Sequence, residues 1–172
     1  MRRFLPLPLL ATAVLAAVPL PARSADDAAL ESGLAQALRL DRRTQERVGD
    51  SGRAIRAYMK EGVLSRRPNQ RLDYTDYYLV KKPATFMGHA LVMVEEEYMA
   101  AYVGCCVSPG MGITLKVSGP TVALEKFAED NGCSFDGQAD PRGVLKSMGV
   151  RASHLPRGRY VALSCRERDR AH

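Results

Sequence analysis

Two of the four cysteines in the chain, Cys105 and Cys106, are neighbours, and no other feature restricts the fold as much. An extended backbone throws successive side chains to opposite faces, so a doublet in a strand addresses two different parts of the structure. The remaining cysteines are Cys133 and Cys165. A bond between neighbours closes a strained ring and leaves Cys133 to Cys165, so the long-range pairings are favoured. In strand parity Val103, Cys105 and Val107 share one face, and Tyr102, Gly104 and Cys106 the other. Near the C-terminus Val161, Leu163 and Cys165 share a face. Matching the apolar faces predicts Cys105 with Cys165 and Cys106 with Cys133. None of the four has the C-x2-C spacing of structural zinc, and an even cysteine number in an exported chain reads as disulfides.

Export is itself an expectation from residues 1–25. Arg2 and Arg3 form a positive start, residues 9–18 an apolar run, and Ala22-Arg23-Ser24 a small-x-small cleavage site, which places the cut near Ser24 or Ala25. The apolar run is too short for a membrane span, and no later segment approaches the roughly 20 residues a span needs. No cysteine sits near the cut, so no lipid anchor is expected. The signal holds three of the 25 basic residues and none of the 19 acids, so the formal charge falls from +6 to +3 on cleavage. That balance gives little support to nucleic-acid binding, which needs a clustered basic face. The remaining length suits one domain with a core of its own.

Along the mature chain, residues 26–48 carry Leu30, Leu34, Ala37 and Leu38 at helical spacing, with acids early and Arg42, Arg43 and Arg47 late. Asp50 or Ser51 can cap a second helix with Ile55, Tyr58 and Met59 on one face, stopped by Gly62. Residues 61–72, with Arg66, Arg67 and Arg71, read as a polar connector; the basic cluster could attract an anionic surface, but a solvated linker is the commoner meaning. From Asp73 the period shortens. Strands are predicted over 73–80, 85–94, 101–107 and 113–117, with a turn or bulge at Glu95-Glu96-Glu97 and a tight loop at 108–112. Residues 90–94 form a continuous apolar run expected to be buried on both faces. Helices follow after Pro120 and Asp140, then a strand over 159–165 and a charged, frayed tail from Arg166. The prediction is an α+β fold in which a helical N-terminal segment (26–65) packs on a disulfide-stapled domain (73–166). That domain has a mostly antiparallel sheet of four to five strands and a helical crossover before the last one. Residues 167–172 are the tail.

Chemical signatures are sparse. There is no G-x-S-x-G elbow, phosphate-binding glycine loop, H-E-x-x-H or Cys-x-x-Cys pair. His89 and Glu95 to Glu97 could supply an acid, a base or a metal ligand, but a packed histidine and a solvated acidic bulge are the commoner readings. Met87, Met93, Met99 and Met111 raise copper, but filling of an irregular core is the commoner meaning of such methionines. No catalytic residue, metal or cofactor is therefore expected. Tyr74, Tyr77, Tyr78, Tyr98 and Tyr102 gather on the first strands, and tyrosine suits recognition surfaces. The functional expectation is an exported, periplasmic or secreted, non-enzymatic binding module of inhibitor or immunity type. It would recognise a protein partner through Tyr77, Tyr78, Tyr98, Tyr102 and the loop Ser108, Pro109, Gly110, Met111 and Gly112. The alternatives are a thiol-redox or copper-handling protein using Cys105 and Cys106, and a hydrolase with dispersed residues.

Overall fold

The computed structural model describes residues 25–97, 106–153 and 155–171. Residues 1–24 of the expected signal, Tyr98, Met99, Tyr102, Cys105, His154 and His172, and all of the 101–107 strand except Cys106 and Val107, lie outside the described residues.

The fold is α+β. Helix α1 (Ala25–Leu38) runs into a small hairpin, β1 (Leu40–Asp41) with β2 (Glu46–Arg47), and then α2 (Ser51–Lys60). Strands β3 (Gln70–Leu72), β4 (Thr75–Leu79), β5 (Thr85–Phe86), β6 (His89–Glu97) and β7 (Gly110–Lys116) follow. Helix α3 (Val122–Asp130), β8 (Ser134–Asp136), α4 (Pro141–Ser147), β9 (Tyr160–Arg166) and a 3-10 turn (Glu167–Ala171) complete the order. One sheet has the order β3-β4-β6-β7-β9-β8, with β5 pairing β6, and every pairing in it is antiparallel. It has seven strands rather than the four or five expected.

Strand alternation sorts the core into two layers. Tyr78, Leu91, Val94, Met111, Ile113, Leu115, Val161, Leu163 and Cys165 bury against Leu34 and Leu38 of α1, Ile55 and Tyr58 of α2 and Leu124 of α3. Leu79, Val92, Met93 and Tyr160 face the other way, against Leu145 of α4 and Leu155. The run 90–94 is thus buried on both faces as expected, and a register irregularity between Leu91 and Met93 rather than at the glutamates keeps both sides apolar.

Helix α1 stops ten residues short of its predicted end. Asp41 Oδ1 accepts the Arg43 and Thr44 amides at 2.8 and 3.1 Å, making a local turn in place of a helical one. Arg47 folds back and donates to Leu38 O at 2.9 Å, Asn131 O at 2.6 Å and Gly132 O at 3.1 Å, capping the C-terminal ends of α1 and α3 together. Gly49 is required beside this junction, because a Cβ there would lie 2.9 Å from Ala37 N. The second helix starts as predicted, with Asp50 accepting the Arg53 amide and Gly62 at φ 69° after its end.

The predicted disulfides are overturned. Cys133 is bonded to Cys165, 32 residues away, so neither Cys105–Cys165 nor Cys106–Cys133 forms. The cause is strand β8, which the sequence reading left as a connection. Ser134 pairs with Ser164 across β8 and β9, which sets Cys133 against Cys165. Cys106 is exposed and also disulfide-bonded. The chain-entropy model assigns a loop of that length about 3 to 4 kcal/mol. Peptide mapping without reduction is expected to return a peptide linking Cys133 to Cys165, and the double variant C133A/C165A to lose about 3 kcal/mol in urea unfolding. Recovery of Cys165 linked to Cys105 would contradict this topology.

Candidate functional site

The sequence Glu95-Glu96-Glu97 does not turn. It continues β6, with Glu95 opposite Tyr77 and Gly112, Glu96 opposite Asp76 and Met111, and Glu97 opposite Thr75 and Gly110. Alternation divides the three carboxylates between the two faces of the sheet, and each face neutralises its share differently.

On the α4 side, Arg166 lies between Glu95 and Glu97. Its Nη2 donates to Glu95 Oε2 at 2.8 Å, its Nη1 to Ser164 Oγ at 2.6 Å, and its Nε forms an ion pair with Glu97 Oε1 at 2.8 Å. Arg168 adds a two-pronged pair to Glu97 at 2.7 and 3.0 Å, and the Ser108 amide donates to Glu97 Oε2. Burial opposes ionisation of Glu97, but the hydrogen bonds from Arg168 and Ser108 and the charge of Arg166 outweigh it and hold the carboxyl below its ordinary range. Asp169 closes the network, accepting from Ser164 Oγ and from the Arg166 amide. The expected frayed tail is therefore a strap fastened by ion pairs, and Arg166 is only 5% exposed.

On the helical side, Glu96 and Asp76 floor a cleft of about 680 Å³ between α2, the connector to β3 and the sheet. Asp76 is buried, with Arg71 donating to both its oxygens and Tyr78 OH donating to Oδ2 at 3.2 Å. Glu96 accepts from Ser51 Oγ at 3.0 Å. Burial pushes the Glu96 carboxyl above its ordinary range, with the charges of Asp76 and Asp50 adding to that effect and the Ser51 hydrogen bond and Arg56 opposing it. Arg56, Arg66, Arg67 and Arg71 all line this cleft. Arg56 lies 3.5 Å from Asp50. Arg66 and Arg67 are exposed and make no ion pair among the described residues.

Of the residues predicted to meet a partner, Tyr78 and Pro109 line the cleft. Tyr78 does so from a buried position. Tyr77 is half-buried on the opposite face, next to Glu95 and the α4 layer. Met111 and Gly112 are buried inside β7, and Gly110 starts that strand, so the loop imagined for 108–112 is reduced to Ser108 and Pro109. A presented loop is thereby overturned: Gly110 comes so close to β9 that a Cβ would meet Cys165 O at 2.6 Å. His89 is the packed residue its surroundings suggested, buried, with Nδ1 accepting the Ser118 amide at 3.1 Å. Met93 and Met111 point to opposite faces and fill separate core layers, so they do not converge. The sequence reading missed Asp76, placed Glu96 in a solvated acidic bulge and weighed Arg66, Arg67 and Arg71 as a linker; the signal available was that cluster of three arginines before Asp76.

The two glutamates set opposite pH dependences. Glu97, held below its ordinary range, contributes stability present above about pH 4.3 and lost as pH falls through its folded value. Glu96, held above that range, favours the fold at low pH and loses that contribution as pH rises through its folded value. The urea midpoint of E96Q is therefore expected to exceed that of the parent by more at pH 8 than at pH 4. Arg166→Ala is expected to cost about 3 kcal/mol at pH 7, since half-buried Glu95 loses its arginine partner and buried Glu97 keeps only Arg168. A pH-independent E96Q difference would refute the assignment to Glu96.

Among the described residues no three His, Cys, Asp or Glu side chains converge to hold a metal ion. Compared with protein-family models, curated proteins and solved structures, the chain gives no match.

Proposed function

We propose that this chain is an exported, non-enzymatic binding module of inhibitor or immunity type, and that it receives a protein partner at the cleft between α2, the 66–71 connector and the sheet. The observation that carries the reading is the pairing pattern in that cleft. Its buried acids are already engaged, Asp76 by Arg71 and Tyr78 and Glu96 by Ser51, while Arg66 and Arg67 on its rim make no ion pair among the described residues. A floor whose polar groups are satisfied and a rim whose charges are free suit recognition better than proton transfer, where a group must be released to the substrate. Export rests on the N-terminal signal pattern. The Cys133–Cys165 bond is compatible with an oxidising compartment, and no helix among the described residues is long and apolar enough to cross a membrane.

A second reading, thiol redox or copper handling through Cys105 and Cys106, is favoured by one observation: Cys106 is exposed and disulfide-bonded while Cys165 is buried. Titration of the native protein with and without mild reductant separates the two, since a redox function requires a rapidly reducible bond.

The binding reading is tested with a photo-reactive amino acid placed at position 66 or 67, and at position 146 on exposed α4, in the cell that makes the protein. The expected result is a discrete cross-linked species from the cleft positions and none from position 146. Equal labelling from both faces, or none, would overturn it.

A further inference from the structure

The charges around the cleft cancel in pairs until two remain. Asp76 is matched by Arg71, two hydrogen bonds joining them, and Asp50 by Arg56 at 3.5 Å. Glu96 is 7% exposed, held by Ser51 and disfavoured as an anion. Among the described residues Arg66 and Arg67 are left as the lining charges with no ion pair. The sign of what fits is therefore negative, although the cleft floor is built from acids.

Shape narrows the class further. The cleft of about 680 Å³ runs from Asp50 and Ser51 to Arg71, and the smaller cavity that shares Asp50, Ser51 and Pro109 with it is lined by the acids Glu46 and Glu167, so the arginine-lined groove is the first alone. A small ion would occupy a fraction of that length. Nor does the groove present an exposed aromatic ring for stacking a base, since Tyr78 is 5% exposed and its hydroxyl is committed to Asp76. The cationic lining consists entirely of arginine, whose planar guanidinium takes a carboxylate in two parallel hydrogen bonds.

We infer that the groove binds an extended acidic peptide segment of the partner protein, with Arg66 and Arg67 as the carboxylate-gripping residues and the Ser51 end of α2 marking where the segment stops. This rests on the reading of the cleft as the recognition face. Arg71 is not free to take part, because releasing it would strand the buried Asp76. Free Arg side chains are thus confined to one rim, which gives the segment a fixed side on which to present its carboxylates.

The probe is a fluorescein-labelled hexaglutamate peptide, followed by anisotropy with the full mature chain at pH 7 and low salt. Hexalysine and a hexamer of deoxythymidylate serve as comparisons. Saturable binding of hexaglutamate is expected, weakened at least tenfold in R66E/R67E and weakened by added salt. The variant R43E/R151E makes the same charge change at exposed positions outside the groove and is expected to keep affinity within twofold. The inference fails if hexaglutamate does not bind, if R43E/R151E loses as much as R66E/R67E, or if the oligonucleotide binds as tightly. Cross-linking at position 66 that persists while hexaglutamate fails to bind would leave the binding function standing and remove the acidic segment alone.

Discussion

The register of β9 between β7 and β8 is the constraint on which the other features depend. Gly112 and Ser134 both pair with Ser164, one from each side. That alignment brings Cys165 against Cys133 on the helical face and, one residue on, turns Arg166 toward Glu95 and Glu97 on the other. A shift of one residue would exchange these faces, burying Arg166 among the helical-face residues of β7 such as Met111 and pointing Cys165 toward the carboxylates. The disulfide and the ion-pair network therefore specify the same pairing from opposite sides of the sheet. Such redundancy is useful in a strand that arrives after a long excursion through α3, β8 and α4, because its partner β7 is completed some forty residues earlier.

Glu95 to Glu97 illustrate how one sequence pattern can receive two solutions. On the α4 side the acids are kept charged by arginines brought from β9 and the strap, 71 residues away for both Glu95–Arg166 and Glu97–Arg168. On the helical side Glu96 meets a serine hydroxyl and another carboxylate, so burial rather than pairing dominates. A buried charge is tolerable when compensated and otherwise is discouraged from forming. The same strand thus carries a structural clamp on one face and the floor of a cleft on the other.

What the sequence conveyed follows from how local its physical cause was. The caps at Asp50 and Asp140, the stop at Gly62, and the burial of 91–94 on both faces depend on neighbouring residues, and all appear where their chemistry puts them. Strand β8 escaped because Ser134–Asp136 is short and largely exposed, with no apolar alternation to announce it. Its absence from the reading is what misdirected the disulfides. The glutamates were taken for a turn because three acids in a strand look prohibitive until Arg166 and Arg168 are in place, and those residues were in turn taken for a loose tail. The cleft was half-visible. Arg66, Arg67 and Arg71 were conspicuous, but only the β3–β4 hairpin, with Asp73 and Tyr74 at positive φ, folds Arg71 back onto Asp76 and separates a structural arginine from the free ones.

That separation explains why net charge was a poor guide to this surface. A formal excess of +3 after removal of the signal describes an unexceptional protein, yet a local field depends on which charges are cancelled within a few ångströms rather than on the total. Arg71 and Arg166 are absorbed by buried acids and contribute little to the surface potential. Arg66 and Arg67 form no ion pair among the described residues, and they line the same cleft as Glu96, whose carboxyl is discouraged from ionising. Pairing the interior acids internally thus leaves the cleft rim with a charge of one sign, and the fold's own electrostatic accounting is what makes a recognition surface there.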